Sequence, residues 1–229
     1  MILSPRLLEI ASCVTEKGTL LDMGTDHGYL PVFLIQSTVI EHAIASDVSL
    51  FSLKKAESLI VKCNLESKIE TRLGNGLEVI NPGECQTIIM AGMGGHLIHD
   101  IILDNLEKIN QTKQLILQPM NNVSLVRKTL EISGRLIVKE KLVKEGKRFY
   151  QIIVSIPGEM AITRKDDYVL GYRPARENTS CFFDFVLSTI EKQRAIIQQL
   201  SDKNTPKAKK QLKQSKEMIM LFEEVLNHG

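Results

Sequence analysis

The chain has 229 residues, 43% hydrophobic and 24% charged, as expected for one large globular domain or one domain with a small appendage. No uncharged apolar run approaches the roughly 20 residues of a membrane helix, and the first residues do not form a secretory leader. We therefore expect a cytoplasmic protein that makes no membrane contact. The net charge of +2 is too small by itself to indicate a nucleic-acid partner.

The cysteines predict no metal site. Cys13, Cys63, Cys85 and Cys181 are far apart, and no histidine stands near them at zinc-ligand spacing. Four reduced thiols are the favoured interpretation. A four-ligand site assembled across the fold is the alternative that the spacing leaves open.

Up to residue 157, β-rich runs alternate with amphipathic stretches, which is typical of a parallel sheet covered by helices. Ser4 and Pro5 predict the cap and the first residue of an initial helix. The predicted strands are 19–23, 43–47, 69–73, 87–91 and 114–118, and the predicted helices between and after them are 29–36, 49–62, 96–106 and 123–132. Runs 135–143 and 148–156 then predict a hairpin.

Five strand-helix units followed by a hairpin resemble the class I methyltransferases that use S-adenosylmethionine. Their α/β fold has a Rossmann-like seven-stranded sheet whose last strand is antiparallel. A dehydrogenase-type nucleotide-binding fold carries six parallel strands instead. The order of elements therefore favours a methyltransferase domain over residues 1–157.

Residues 158–229 have a different pattern. An irregular connector, 158–180, is expected to precede two helices with apolar residues at alternating steps of three and four. These heptad seams predict an antiparallel coiled-coil hairpin. The seam residues are Phe183, Val186, Ile190, Gln193, Ile197 and Leu200, followed by Ala208, Leu212, Ser215, Ile219, Phe222 and Leu226.

A glycine-containing turn follows the first strand, where α/β proteins bind ligands. A dinucleotide fingerprint starting at Gly24 would require glycines at the positions of Asp26 and Tyr29, so an NAD-dependent dehydrogenase is disfavoured. Carboxylates such as Asp22 and Asp26 would instead suit a cationic sulfonium. The turn is similar to the D-x-G-x-G-x-G loop of class I methyltransferases with its middle glycine replaced.

The residues that end or follow the second and third predicted strands also indicate a cofactor site. Asp47 ends the second strand, where a carboxylate can accept hydrogen bonds from both ribose hydroxyls, although it could also cap the following helix. Asn75 and Gly76 follow the third strand, where such folds contact the adenine edge, although an ordinary turn would also explain them. The three signals together favour a cofactor site.

The fourth strand leads into Ala91, Gly92, Met93, Gly94 and Gly95. The [DN]-P-P-[YF] motif of aminomethyltransferases is missing here, which disfavours methylation of an exocyclic amine by that arrangement. The run of glycine and methionine from Gly92 to Gly95 suggests instead a flat surface that a large planar group can approach closely.

These motifs, together with 22–31 and 117–120, resemble the bacterial tRNA adenine-N1 methyltransferases that modify adenine 22 of the D-arm. The resemblance covers nearly the whole chain and implies S-adenosylmethionine, a tRNA substrate and 1-methyladenosine as product. By position, it implies a cofactor pocket of Asp22, Gly24, Asp26, His27, Gly28, Asp47, Asn75 and Gly76. It places Gly92, Met93 and Gly94 near the transferred methyl.

Adenine N1 carries an in-plane lone pair, so the reaction needs alignment rather than a general base. Asp26 is the candidate catalytic residue, because a carboxylate could stabilise the cationic product. Orienting the turn, or binding the amino group of the cofactor, is the alternative role of Asp26. The target base must also be swung out of any tertiary pairing.

Acidic and basic residues balance over residues 1–157, so the net charge of +2 comes from the remainder. Two basic clusters could contact phosphates, although solvated faces would also explain them. They are Lys141, Lys144, Lys147 and Arg148 at the strand hairpin, and Lys207, Lys209, Lys210 and Lys213 in the last helix.

The leading function is therefore that of a tRNA methyltransferase, with a monomer favoured. Two alternatives remain. One is a methyltransferase acting on another RNA or on a small molecule, and the other is a non-catalytic RNA-binding protein with the same fold.

Overall fold

Seven strands form one mixed sheet in the computed structural model, which describes residues 1–172, 176–177 and 179–228. The strands are β1 Thr19–Met23, β2 His42–Asp47, β3 Ile69–Leu73, β4 Thr87–Met93, β5 Gln114–Pro119, β6 Arg135–Glu145 and β7 Arg148–Pro157. Their order is β3-β2-β1-β4-β5-β7-β6. The first five are parallel and β7 is antiparallel to both of its neighbours, which confirms the predicted fold class.

Nine helices are found in the described part of the chain: α1 Pro5–Ser12, α2 Tyr29–Gln36, α3 Leu50–Lys62, α4 Gly95–Asp104, α5 Leu106–Gln111, α6 Val123–Ile132, α7 Lys165–Leu170, α8 Ser180–Leu200 and α9 Pro206–His228. As predicted, Ser4 caps α1: its hydroxyl accepts a hydrogen bond from the Leu7 amide at 3.4 Å, and Pro5 begins the helix. None of the described helices is both long and apolar enough to span a membrane.

Successive side chains of β1 pack into two separate hydrophobic cores, one on each face of the sheet. Leu20 packs with α1, α2 and α3 on one face of the sheet, through residues such as Ile10 and Leu30. Leu21 packs on the opposite face with α4 and α6, through residues such as Ile98 and Val126. Because side chains alternate along a strand, one short apolar run supplies both layers.

The predicted elements are confirmed with two corrections. The predicted helix 96–106 is two helices, because the backbone leaves the helical region at Asn105 (φ −130°, ψ 36°). The connector, expected to be irregular, contains α7. Several strands also extend beyond their predicted ends, and β4 continues to Met93.

A buried ion pair attaches the connector to the sheet domain. Arg127 of α6 and Glu140 of β6 are 0% and 5% exposed, and the Arg127 Nη2 lies 2.7 Å from a Glu140 oxygen. Arg127 also donates to the Tyr168 carbonyl of α7 at 2.8 Å, and Glu140 accepts from the Tyr172 amide at 3.0 Å. These bonds satisfy two charges that would otherwise be costly to bury.

The chain divides into two compact units, Met1–Arg176 and Glu177–Gly229. The first unit extends past residue 157 because α7 packs on α6. The boundary at 157 for the methyltransferase domain stays a prediction, and residues 173–175 and 178 of the connector lie outside the described residues.

The second unit contains the predicted helical hairpin. Val186 and Ile190 of α8 and Ala208, Ser215 and Phe222 of α9 are buried, and the remaining seam residues are half-buried. Between the helices, an Arg194 nitrogen lies 2.8 Å from a Glu223 oxygen. The two narrow apolar stripes therefore face each other, as in a coiled coil.

Candidate active site

A cleft of about 280 Å³ opens at the carboxyl ends of β1 and β4. This is where the strand order changes direction, and where open α/β sheets bind ligands. The cleft is lined by Arg6, Leu7, Asp22, Gly24, Thr25, Asp26, His27, Gly28, Tyr29, Leu30 and Ala91.

Asp22 is the most deeply buried charged group of the cleft. Its side chain belongs to β1 and is 7% exposed. Burial raises the pKa of Asp22 to about 6, the negative charge of Asp47 adds to this, and a hydrogen bond from Thr25 and the charge of Arg6 oppose it. The cleft therefore contains a carboxylate whose negative charge is poorly compensated and would be stabilised by a cation.

The turn after β1 is fixed by β2. The amides of Gly24 and Thr25 both donate to the Ser46 carbonyl, at 2.8 and 2.9 Å. Gly24 has φ +78°, and a Cβ on it would meet no atom within 4 Å. Its backbone therefore faces open space at a φ that favours glycine, so that a ligand can approach the main chain closely.

Asp26 lies at the solvent side of the same turn, with its side chain 63% exposed. Its carboxylate accepts from the Lys55 ammonium of α3 at 2.9 Å and lies 3.2 Å from His27 Nε2. The hydrogen bond from Lys55 holds the pKa of Asp26 below its usual range. The His27 ring is in turn stacked on Tyr29, with centroids 5.0 Å apart and 9° between the planes.

The next strand ends lie beside the cleft. Asp47 is half-buried at the end of β2, and its Oδ1 accepts from the Ser49 amide at 2.7 Å. Asn75 and Gly76 follow β3 and begin a short 3-10 helix, Gly76–Val79. None of these three residues lines the cleft itself. They lie at the carboxyl ends of β2 and β3, which the parallel pairing places next to the carboxyl end of β1.

Residues 91–95, here called the glycine loop, comprise the last three residues of β4, Gly94 and the first residue of α4. The pairing of β4 with β5 shifts register between Ala91 and Met93, so Gly92 forms a bulge. Met93 and Gly94 are half-buried, and Gly92 is exposed. Only Ala91 of this loop lines the cleft.

The structure thus gathers Asp22, Gly24, Asp26, His27 and Gly28 around one cleft. The role of each predicted residue in holding a cofactor stays a prediction. Sequence reasoning missed Arg6, which reaches the cleft from α1. Arg6 is positioned by contacts with residues more than 100 positions away. The local sequence, a Pro-Arg pair at the start of a helix, does not indicate such contacts.

The predicted basic residues near the sheet lie on the part of the β6–β7 hairpin that extends beyond β5. This segment, residues 141–152, is called the hairpin arm. Lys144, Lys147 and Arg148 are exposed there, whereas Lys141 is only 18% exposed and pairs with Glu9 of α1. Three of the four cations are thus accessible to a polyanion.

In the second unit, all four predicted lysines of α9 are exposed. Lys207, Lys209, Lys210 and Lys213 occupy the first two turns of the helix, beside the buried Ala208. Lys213 lies 3.9 Å from Glu217, and both side chains are largely exposed.

Comparison with known proteins gives consistent results. The Methyltransferase domain family matches residues 3–153. The tRNA (adenine(22)-N(1))-methyltransferase of Bacillus subtilis is 29% identical over 99% of this chain and 98% of its own length.

Solved structures agree. A Streptococcus pneumoniae protein described as a tRNA (m1A22) methyltransferase is 32% identical, with a TM-score of 0.88, over 98% of this chain and 100% of the other. The complex of that protein with S-adenosyl-L-methionine gives a TM-score of 0.86 at 30% identity over the same shares.

A seven-stranded sheet with an antiparallel β7, and a cleft with acidic groups at the end of β1 and in the turn that follows it, define a class I methyltransferase. Within this class, the matches extend through both units of the chain. The chain belongs to the family of the tRNA (m1A22) methyltransferases.

The raised pKa of Asp22 predicts a pH-dependent cost to stability. The folded chain binds the Asp22 proton more tightly than the unfolded chain does, where the pKa is about 3.9. The cost is therefore absent below both pKa values, increases as the pH rises through this window, and is constant above about pH 6. Asp22→Asn should remove it, so we expect the variant to be more stable above pH 6 by up to about 3 kcal/mol.

Urea unfolding of the wild type and of Asp22→Asn between pH 4 and 8 measures this difference in the free energy of unfolding. Asp104→Asn, which removes an exposed carboxylate from α4, is the matched control. A stability difference between Asp22→Asn and the wild type that does not change with pH would contradict the prediction.

Proposed function

We propose that this chain transfers a methyl group from S-adenosylmethionine to N1 of adenine 22 in tRNA and produces 1-methyladenosine. The observation that carries the proposal is the buried Asp22 carboxylate beside the open Gly24 backbone, in a chain similar over 98% of its length to a relative solved with S-adenosyl-L-methionine.

The residues of the cleft fit this cofactor. It supplies an electrophilic methyl group on a positively charged sulfonium. Asp22 offers a desolvated negative charge, and the space above Gly24 admits a ligand against the main chain. Asp47, with Oδ1 held by the Ser49 amide, is suited to accept hydrogen bonds from ribose hydroxyls at the end of β2.

The chain's own task in the reaction is alignment. N1 needs no deprotonation, so a rigid arrangement of nucleophile and methyl group supplies most of the rate enhancement, on the order of 7 kcal/mol or more. Gly92 and Gly94, which have no side chain, and the unbranched Met93 between them are proposed to leave room at the end of β4 for a flat base. Asn75 and Gly76 would contact the adenine of the cofactor at the end of β3.

For Asp26, the contacts support the orienting role. Its carboxylate is already engaged by Lys55 and His27, so its charge is partly offset before any cationic product forms. The same contacts hold the turn against α3. Stabilisation of the product charge by Asp26 stays the competing prediction.

The basic residues of the hairpin arm and of α9 are proposed to contact tRNA phosphates, which would position the substrate without reading its sequence. We also propose a monomer, because the apolar seams of α8 and α9 cover each other within one chain. A small-molecule substrate would need neither basic surface.

The reaction is tested by incubating an unmodified tRNA transcript with the protein and S-adenosylmethionine and analysing its nucleosides by mass spectrometry. We expect 1-methyladenosine, and none when adenine 22 is replaced by guanine. A methylated base at another position, methylation of free adenosine, or no product at all would contradict the proposal.

Asp26→Asn separates the two roles of that residue. If Asp26 orients the turn, the variant should bind S-adenosylmethionine more weakly, while the single-turnover rate at saturating cofactor stays within about twofold of wild type. Calorimetry and rapid-quench kinetics measure the two quantities. A much slower single turnover with unchanged affinity would favour the catalytic role instead.

Replacing the four α9 lysines with glutamine should weaken tRNA binding and reduce its salt dependence. Each lost phosphate contact should lower the slope of log K against log salt by roughly 0.7 to 0.9. Binding is measured by filter retention across a salt series. An unchanged slope would rule out these contacts.

A control variant removes the same number of charges from the amino-terminal edge of the sheet, opposite the cleft. It replaces Lys17, Lys62, Lys68 and Lys113 with glutamine. We expect this variant to keep most of the wild-type salt slope.

A further inference from the structure

The side chain of Gln118, near the end of β5, is completely buried and fully hydrogen-bonded. Its Oε1 accepts from the Arg6 guanidinium at 2.8 Å and from the Gly92 amide at 3.2 Å. Its Nε2 donates to the Pro119 carbonyl at 3.1 Å. A buried carboxamide is favourable only when such partners are present, so its position and theirs are mutually fixed.

The hydrogen bond to Gln118 restrains the backbone at Gly92. Gly92 has φ +77° and lies in the bulge between β4 and β5, where the pairing of the two strands is interrupted. The Gly92 amide donates its hydrogen bond to the side-chain Oε1 of Gln118. Ala91 and Met93 on either side are paired with β5. Gly92 between them is exposed, so side-chain packing adds little there, and the hydrogen bond to the Gln118 side chain restrains the direction of its amide.

Arg6 extends the same network to the rim of the cleft. Its guanidinium lines the cleft and lies 5.4 Å from the centroid of the Tyr150 ring in the hairpin arm. Its backbone amide donates to Glu145 of the same arm at 3.2 Å. Gln118 therefore connects the glycine loop with α1, and through Arg6 with the arm that carries Lys144, Lys147 and Arg148.

We propose that Gln118 is a positioning residue for methyl transfer: its buried carboxamide holds the Gly92 loop, and with it the target adenine, in line with the methyl group. This inference rests on the function proposed above. Adenine N1 and the methyl group must be aligned, and a displacement of about 1 Å at a reacting group can slow a reaction about 100-fold. A residue that fixes the position of the Gly92 loop can therefore affect the rate.

Gln118→Met removes the hydrogen bonds of the carboxamide to Arg6, Gly92 and Pro119 and keeps a similar volume. We expect the single-turnover rate to fall about 10- to 100-fold, with the dissociation constant for S-adenosylmethionine within about threefold of wild type. Gln118→Glu keeps the acceptor for Arg6 and Gly92 and should recover much of the rate. Arg6→Ala combined with Gln118→Met should be no slower than Gln118→Met alone, because the two act as one unit.

Gln114 provides a matched control at the other end of β5. It is 2% exposed, donates to the Cys13 carbonyl at 2.9 Å and accepts from the Thr15 amide at 3.2 Å. Gln114→Met also breaks buried bonds to the segment after α1, but far from the glycine loop. It should lower the denaturation midpoint and leave the single-turnover rate unchanged.

Hydrogen exchange provides a readout that does not depend on activity. The Gly92 amide should exchange faster in Gln118→Met than in wild type or in Gln114→Met. If wild type forms no 1-methyladenosine, the proposed function fails, whereas the exchange result still tests the restraint on the loop. Equal single-turnover rates, or equal exchange rates of the Gly92 amide, in the wild type and Gln118→Met would overturn the inference. Equal losses of single-turnover rate in Gln118→Met and Gln114→Met would also overturn it.

Discussion

The placement of β1 between β2 and β4 determines where this molecule can bind a ligand. The helices that follow β1 and β2 pack on one face of the sheet, and those that follow β4 and β5 pack on the other. The connections therefore diverge at the carboxyl ends of β1 and β4 and leave a cleft between them. The turn after β1, the acidic end of β2 and the glycine loop surround this opening because the parallel register brings their strand ends level.

Within that opening, the electrostatics is unbalanced toward negative charge. Asp22 is desolvated, and its nearest charged neighbours act in opposite directions, with Asp47 raising its pKa and Arg6 lowering it. Asp26, by contrast, is exposed and already bound by Lys55. Two carboxylates of the same short turn therefore differ in character: the buried one favours a cationic ligand, and the exposed one supports the turn.

Local features of the sequence were sufficient to predict much of this arrangement. Short β-rich runs predicted all seven strands, and the glycine turn with Asp22 predicted the position of the cleft. The break at Asn105 was missed because no glycine or proline marks it. The helix α7 was missed because its six residues are too few to show a helical period, although Gly171 ends it. Arg6, Gln118 and the Arg127–Glu140 pair were missed for a different reason. Their importance lies in contacts between residues distant in sequence, and no local pattern records such contacts.

The attachment of α1 has a consequence for the order of folding. Arg6 contacts Glu145, 139 positions later, and Glu9 pairs with Lys141, 132 positions later. The docking of α1 can therefore be completed only when the last hairpin of the sheet is in place. Such distant contacts form slowly. The wall of the cleft that Arg6 and Leu7 contribute thus depends on β6, although β6 itself does not line the cleft.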